Sequence, residues 1–374
     1  MPNNTHGPTQ AAPAADAAGA APLTPAERAP AETYDVALLD LDGVVYSGPQ
    51  VIPGAVSALG AAREAGLRLA FVTNNASRSP SAVAEQLSRF GVTTTSADVV
   101  TSAQAAATLI ANRFPAGSAV LAAGSNALRL ALRERGLRPV SLAADHPVAV
   151  VQGYAPDMNY GLLAEAGVAV RDGAFYVATN SDSTLPTPRG PQPGNGSLLQ
   201  VIITATGTRP VVAGKPETPL HAEAVARTGA RHPLVVGDRL DTDIEGAVRG
   251  GADSMLVLTG VTSPRDAVLA PAGRRPTYLA SGLGGLLERQ PAVGSAGARS
   301  GEHVDGGAPL AFRCGGWLAR RPGGPASTGS APIELTGHGA WIDGLRALCA
   351  AAWSAGQISP AMADPALAAL GQLA

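Results

Sequence analysis

Short runs of apolar residues alternate along this chain with longer amphipathic stretches. Val36-Ala37-Leu38-Leu39 is the first such run and reads as a strand buried on both faces. Past Gly54, Ala55, Leu59 and Ala62 share one face of a helix that Gly66 ends. Leu69-Ala70-Phe71-Val72 repeats the buried-strand pattern, and Ser81 to Phe90 reads as a helix stopped by Gly91. The rhythm continues with a helix over 102–113, strand 118–123, helix 125–135, strand 147–152, helix 160–171 and strand 174–178. A loop rich in Pro and Gly over 185–197 precedes a helix that runs to Gly207. Strand 210–213, helix 219–229, strand 233–236, helix 243–250 and strand 254–258 follow. This alternation predicts an α/β fold with a doubly wound parallel sheet, whose ligands bind at the carboxyl ends of the strands.

Polar clusters follow the strands at 36–39, 69–72, 210–213 and 233–236, which places them together at one edge of one sheet. The stretch between carries its own strands and helices without comparable clusters and reads as an inserted cap. The expected division is therefore a core of 34–100 and 206–290, with a cap of 101–205. Residues 1–33 are Ala/Pro/Thr-rich without apolar period and read as a disordered tail. Residues 291–332 are loose in composition, with helical stretches near 340–353 and 365–373, so 291–374 reads as a linker and small extension. There is no internal repeat.

Composition narrows the picture. A chain of 374 residues suffices for two domains plus tails. It holds no run of 18 apolar residues, so no membrane span is expected. Met1-Pro2-Asn3-Asn4 opens without a basic segment leading into an apolar one, which predicts no secretory leader. Cys314 and Cys349 match no zinc spacing. A net charge of −2 argues against nucleic acid as a partner. The expectation is a soluble, reduced, cytoplasmic protein. Of its 27 basic residues, only Lys215 is lysine. In a chain so strongly biased to arginine, that position calls for a compact ammonium rather than a guanidinium.

Lys215 belongs to one of four clusters. Asp40-Leu41-Asp42-Gly43 can turn two carboxylates toward one ligand, although an Asx turn is the plain alternative. It is no EF-hand loop, because Val44 and Val51 stand at ligand positions. Thr73-Asn74-Asn75 offers a hydroxyl and backbone N–H groups as an anion cradle, or simply a turn. In Gly214-Lys215-Pro216, the proline keeps Lys215 out of helical geometry, and Thr218 with Pro219 opens a helix. Arg209 and Pro216 rule out a Walker loop. Gly237-Asp238-Arg239-Leu240-Asp241-Thr242-Asp243 sets three carboxylates between a strand and a helix, of which an acidic N-cap explains Asp241.

Together these fit phosphoryl transfer through an enzyme aspartate. Asp40 would attack phosphorus, and Asp42 would protonate the leaving oxygen and later deprotonate water. Asp40, the Asp42 main-chain carbonyl and Asp238 would hold Mg²⁺, an all-oxygen site suited to a hard cation. Thr73, the Asn74 N–H and Lys215 would clamp the phosphate oxygens.

These four motifs in order closely resemble the haloacid dehalogenase superfamily, within it the phosphatases with a large α/β cap between the second and third motifs. The likeness covers about 34–290. It implies a Rossmann-like core, the roles given above, and a supporting role for Asp243. In the cap, Asn180 and Asp182 (with Pro186) and Asn195 match the region that faces the active site and selects the leaving group. Their short polar side chains suit a small hydroxylated phosphomonoester. The family includes phosphatases of 4-nitrophenyl phosphate, phosphoglycolate, nucleotides and glycerol 3-phosphate. The added C-terminal residues resemble a degenerate acetyltransferase-like extension found in bacterial glycerol-3-phosphate phosphatases, and glycerol 3-phosphate is the expected substrate. Phosphoglycolate or a nucleotide monophosphate is the alternative, and a mutase uses the same intermediate. Outside phosphoryl hydrolysis stand a phospho-ligand-binding protein and an acetyltransferase acting through the tail. Arg321-Pro322-Gly323-Gly324-Pro325-Ala326 fits a coenzyme A loop pattern, but Pro325 removes a backbone N–H from it. The resemblance leaves a homodimer open.

Overall fold

The computed structural model describes residues 23–185, 187, 189–296, 311–321, 331–354, 356 and 358–371. Pro186, residues 1–22 and the coenzyme A-like pattern beyond Arg321 therefore lie outside the described residues.

Two parallel sheets form the main body. The first has six strands in the order Tyr278–Ala280, Asp253–Val257, Pro233–Gly237, Val36–Leu39, Arg68–Thr73 and Val99–Thr101. Val36–Leu39 lies centrally because all four of its residues are apolar and buried, as a strand covered on both faces requires. Its side chains alternate between two clusters. Ala37 and Leu39 face Leu59, Val83 and Leu87 on one side, and Val36 and Leu38 face Ala106, Ile110 and Leu220 on the other.

The second sheet has five strands, in the order Val211–Val212, Phe175–Ala178, Ala149–Gln152, Ala119–Ala123 and Arg138–Val140. The helices Ser102–Ala111 and Thr218–Thr228 lie in one apolar cluster with residues of both sheets. The run Ala103, Ala105, Ala106, Ala107 makes this possible. Small side chains, buried all round, let two sheets approach one helix.

Three expectations are corrected here. Val211–Val212 pairs with Phe175–Ala178, so the strand leading to Lys215 belongs to the second sheet, not to the edge shared by the other clusters. An isolated apolar dipeptide carries no signal for which sheet it joins. Residues 23–33 are not an unstructured tail. Leu23 and Ala31 are buried, Pro30–Thr33 is helical, and Ala26 exchanges backbone hydrogen bonds with Gln290 (2.9 and 3.2 Å). Widely spaced apolar residues among Pro and Thr show no period, yet each finds a site. Finally, the segment 291–332 is not loose throughout. Gly294–Ser295, Ala311–Cys314, Trp317–Arg320 and Glu334–Gly337 form a four-stranded antiparallel sheet with Gly315 and Gly316 at a hairpin.

The helices Trp341–Trp353 and Pro360–Ala369 complete this extension, the second starting earlier than expected and carrying Pro365 within it. Leu345, Leu348, Trp353 and Phe312 share a core with Ile244, Leu256 and Leu279 of the main body. Among the described residues, no helix is long and apolar enough to cross a membrane.

Candidate active site

Three neighbouring strands of the first sheet end together, and each delivers a polar group at its carboxyl end. Asp40 follows Val36–Leu39, Thr73 closes Arg68–Thr73, and Asp238 follows Pro233–Gly237. The Asp40 N–H donates to the Val236 carbonyl (2.8 Å), so the nucleophile candidate is still in the sheet ladder. At Gly43 the chain turns back, with φ +85°, and the Gly43 N–H donates to Tyr46 (2.7 Å). A Cβ there would lie 2.4 Å from Asp238 Oδ2, so only glycine allows the two loops to meet.

Lys215 reaches this edge from the second sheet. Its ammonium is 3% exposed and donates to Asp40, to Asp243 (2.7 Å) and to the Val72 carbonyl (3.3 Å). All three of its hydrogens are therefore placed. Burial alone would push the ammonium down, but the carboxylates of Asp243 and Asp40 outweigh it and hold Lys215 well above its ordinary value. Asn74 fixes the lysine backbone, accepting from its N–H (2.8 Å) and donating to its carbonyl (3.1 Å). Gly214 is needed at this crossing, since a Cβ would meet Asn74 Oδ1 and the Thr179 carbonyl at 2.6 Å. The helix that follows is capped at Glu217 rather than Thr218, with no side-chain capping bond.

Asp243 lies on a π-helical turn, Leu240–Ile244, that precedes the helix Glu245–Arg249; the sequence pattern suggested one continuous helix. Its carboxylate accepts from Lys215 and from the Arg239 N–H (3.1 Å). Gly237 leaves room for it, because a Cβ there would lie 2.2 Å from Asp243 Cβ. Asp243 is thus bonded to both the Lys215 ammonium and the backbone of its own turn.

Asp40, Asp238 and Asp243 bring one carboxylate oxygen each within 4.8 Å of one another. Asp238 is fully buried, its Oδ2 accepts from the Val261 N–H (2.7 Å), and its Oδ1 has no hydrogen-bond partner among the described residues. Burial and the Asp243 charge push its carboxyl up to about 6. Burial and the neighbouring carboxylates likewise raise Asp40 above its usual range, against the pull of Lys215. A crowded, all-oxygen donor set with an orphaned buried carboxylate oxygen fits a hard divalent cation. Asp42 is exposed as a residue, while burial of its carboxyl raises it against the pull of Arg78 and Lys215. Thr73 Oγ1 accepts from the Asn75 N–H (3.1 Å), which leaves its own hydrogen to donate.

The three cap residues divide. Asp182 is partly exposed at the junction, accepts from Asn74 Nδ2 (3.3 Å), and has its carboxyl raised by burial. Asn180 and Asn195 are buried, and both amides are spent on backbone carbonyls. The Asn180 amide donates to the Asn74 carbonyl (2.8 Å), and Asn195, 1% exposed, donates to the carbonyls of Asn180 (2.8 Å) and Gln152 (3.4 Å). The Asn180 bond ties the cap loop to the core, and the Asn195 bonds brace that loop within the cap. An asparagine at a loop satisfies buried carbonyls as readily as it binds a ligand, and sequence does not separate the two.

One contributor has no counterpart among the sequence motifs. The loop Thr259-Gly260-Val261-Thr262, after strand Asp253–Val257, bonds both the Gly43 and the Asp238 loops. Besides the Val261 contact, Thr259 Oγ1 donates to the Gly43 carbonyl (2.6 Å) and the Thr262 N–H to the Asp238 carbonyl (3.1 Å). Its only sequence signal is its place at a strand's carboxyl end.

Fold and site together define a capped α/β protein with three clustered carboxylates and one buried lysine at the carboxyl edge of its sheet. A model of haloacid dehalogenase-like hydrolases matches residues 37–138, and a related model of hydrolases of the same kind matches 212–286. The chain is 52% identical over 256 residues to the D-glycerol 3-phosphate phosphatase of Mycobacterium tuberculosis, covering 68% of this chain and 72% of that protein. It is 38% identical to the 5'-nucleotidase YutF of Bacillus subtilis, over 62% of this chain and 90% of that one. In structure it resembles the Mycobacterium tuberculosis glycerol phosphate phosphatase solved with magnesium, at 41% identity and TM-score 0.80, covering 92% of this chain and all of that one. A 4-nitrophenylphosphatase from Thermotoga maritima aligns at 30% identity and TM-score 0.64, over 69% of this chain and 98% of its own. The chain belongs to the haloacid dehalogenase-like hydrolases, and it is a phosphatase.

Proposed function

We propose that this phosphatase hydrolyses glycerol 3-phosphate to glycerol and phosphate with bound Mg²⁺. The observation that carries the metal-dependent reading is the pairing of the Lys215-bonded Asp40 with Asp238, whose buried Oδ1 lacks a partner. The substrate rests on the 52% identity to a protein named for it. The Asn74–Asp182 bond (3.3 Å) and the Asn180 tether, which hold the cap loop against the core, agree with a short polyol ester.

Asp40, the Asp42 carbonyl and Asp238 would hold Mg²⁺, which supplies charge to the phosphate oxygens. A carboxylate oxygen of Asp40 forms a bond to phosphorus while the bond to the glycerol oxygen breaks. Asp42 gives that oxygen its proton, then takes one from the water that releases phosphate and restores Asp40. Its raised carboxyl favours holding the proton before the first step. Thr73 and the Asn74 N–H bind the transferred phosphoryl oxygens, joined by Lys215 as it exchanges its bond to Asp40 for one to phosphate, and Lys215 also offsets the crowded carboxylates.

The identity to a 5'-nucleotidase favours a nucleotide monophosphate as the second reading, with phosphoglycolate beside it. Phosphate release from glycerol 3-phosphate, 2-phosphoglycolate and UMP, with Mg²⁺ and with EDTA, separates them. Metal-dependent turnover led by glycerol 3-phosphate supports the proposal, turnover led by another ester moves the substrate, and none from any ester removes the mechanism. We read the extension as a degenerate acetyltransferase-like element inactive in acetyl transfer; failure to bind acetyl-coenzyme A supports this reading, and transfer of its acetyl group to an amine would overturn it. A cytoplasmic setting and a homodimer belong to the same reading, the latter checked by light scattering.

A further inference from the structure

The extension lies away from the phosphate-facing residues, yet a continuous set of contacts links it to them. Gly260 is wedged between the two metal-facing loops: a Cβ there would lie 2.0 Å from Asp238 Oδ2 and 2.8 Å from Gly43 Cα. The loop is tied at three points, through Thr259 to Gly43 and through Val261 and Thr262 to Asp238. It runs directly into the short helix Pro264–Val268, whose start is closed by a capping box between Ser263 and Asp266.

That helix is gripped by the extension. The Trp353 indole N–H donates to the Ala267 carbonyl (3.2 Å). Arg265 donates in a fork to Asp364 (2.7 and 3.0 Å). Ala267, Val268 and Ala270 are buried in one cluster with Leu345, Leu348 and Leu367 of the extension. We propose that the C-terminal extension is a positioning element for the metal site, acting through helix Pro264–Val268 and the Thr259–Thr262 loop on Asp238 and Gly43. Groups that orient a metal ligand without touching the metal commonly set its affinity. The inference rests on the assignment of Mg²⁺ to Asp40 and Asp238 made above.

Calorimetric titration of the full chain with Mg²⁺ alone, without substrate, tests it. Thr259→Val is expected to weaken Mg²⁺ binding about tenfold. Trp353→Phe, which keeps the apolar bulk and loses the N–H, is expected to weaken it about threefold, as a more distant member of the same chain. Both should keep the wild-type unfolding midpoint in EDTA, and Thr259→Ser should restore binding. A wild-type Kd in either variant overturns the proposal. Coupling is reciprocal, so Mg²⁺ should also slow amide hydrogen exchange in Pro264–Val268 and Trp341–Trp353 of the unmutated chain. Unchanged exchange there overturns the proposal even if a variant does not fold. Asp238→Ala separates the two ideas: if it binds Mg²⁺ like wild type, the metal assignment is what fails.

Discussion

Two buried polar clusters lie at the junction of the sheets, and they differ in kind. Around Lys215 the groups are charged, crowded and incompletely bonded, with Asp238 Oδ1 left unpartnered. Around Asn180 and Asn195 they are neutral: their amides donate to backbone carbonyls of both halves, and the atom left unbonded among the described residues, Asn195 Oδ1, carries no charge. The first arrangement is costly unless a cation and a phosphate complete it, and the second is a tether. Burial of polar residues is therefore no guide to catalysis by itself; what distinguishes the site is unmet charge.

The contrast can be broken most forcefully at Asp40. Asp40→Asn should lower kcat by at least about a thousandfold, since the nucleophile is lost. The same change relieves one of the crowded carboxylates, so the thermal midpoint in EDTA should hold or rise. A variant that loses activity and stability together would show that the cluster serves the fold. Lys215→Met should do the reverse in stability. It leaves Asp40 and Asp243 buried without their cation, and urea unfolding should register a loss of about 3–5 kcal/mol. Lys215→Arg should not restore turnover, because a planar guanidinium cannot occupy the space of the ammonium.

Asn195→Ala probes the tether. Removing an amide that serves two carbonyls should cost about 1–3 kcal/mol in the same unfolding experiment. Turnover per folded molecule should stay near wild type. A loss of kcat at full stability would return Asn195 to the substrate.

The smallest expected effect concerns pH. Because Asp238 titrates near 6 in the folded chain and lower when unfolded, its protonated form favours folding. That contribution is complete below the unfolded value and fades as pH rises through about 6. Mg²⁺ binds only the ionised form. The rise in thermal midpoint on adding Mg²⁺ should therefore grow from pH 5 to pH 7, and a flat response would remove Asp238 from the metal site.

Much of this protein was determined by local sequence alone. The central strand Val36–Leu39 is wholly apolar, so it could only be a buried strand, and Asp40 at its end had to face the sheet's carboxyl edge. Lysine at position 215 alone among 27 basic residues marked a site where the shape of the cation matters, and the structure buries it against two carboxylates. Tertiary structure decided which sheet carried that lysine, because Val211–Val212 is too short to state its partner. It also decided that Asn180 ties the cap loop to the core while Asn195 braces it, that Thr259–Thr262 joins the Gly43 and Asp238 loops, and that Phe312, Leu345 and Leu348 pack with Leu256 and Leu279. Each of these depends on which distant backbone or apolar face comes within a few ångströms. Residue type and spacing encode what a segment can bond to, whereas packing of the whole chain settles which partner arrives.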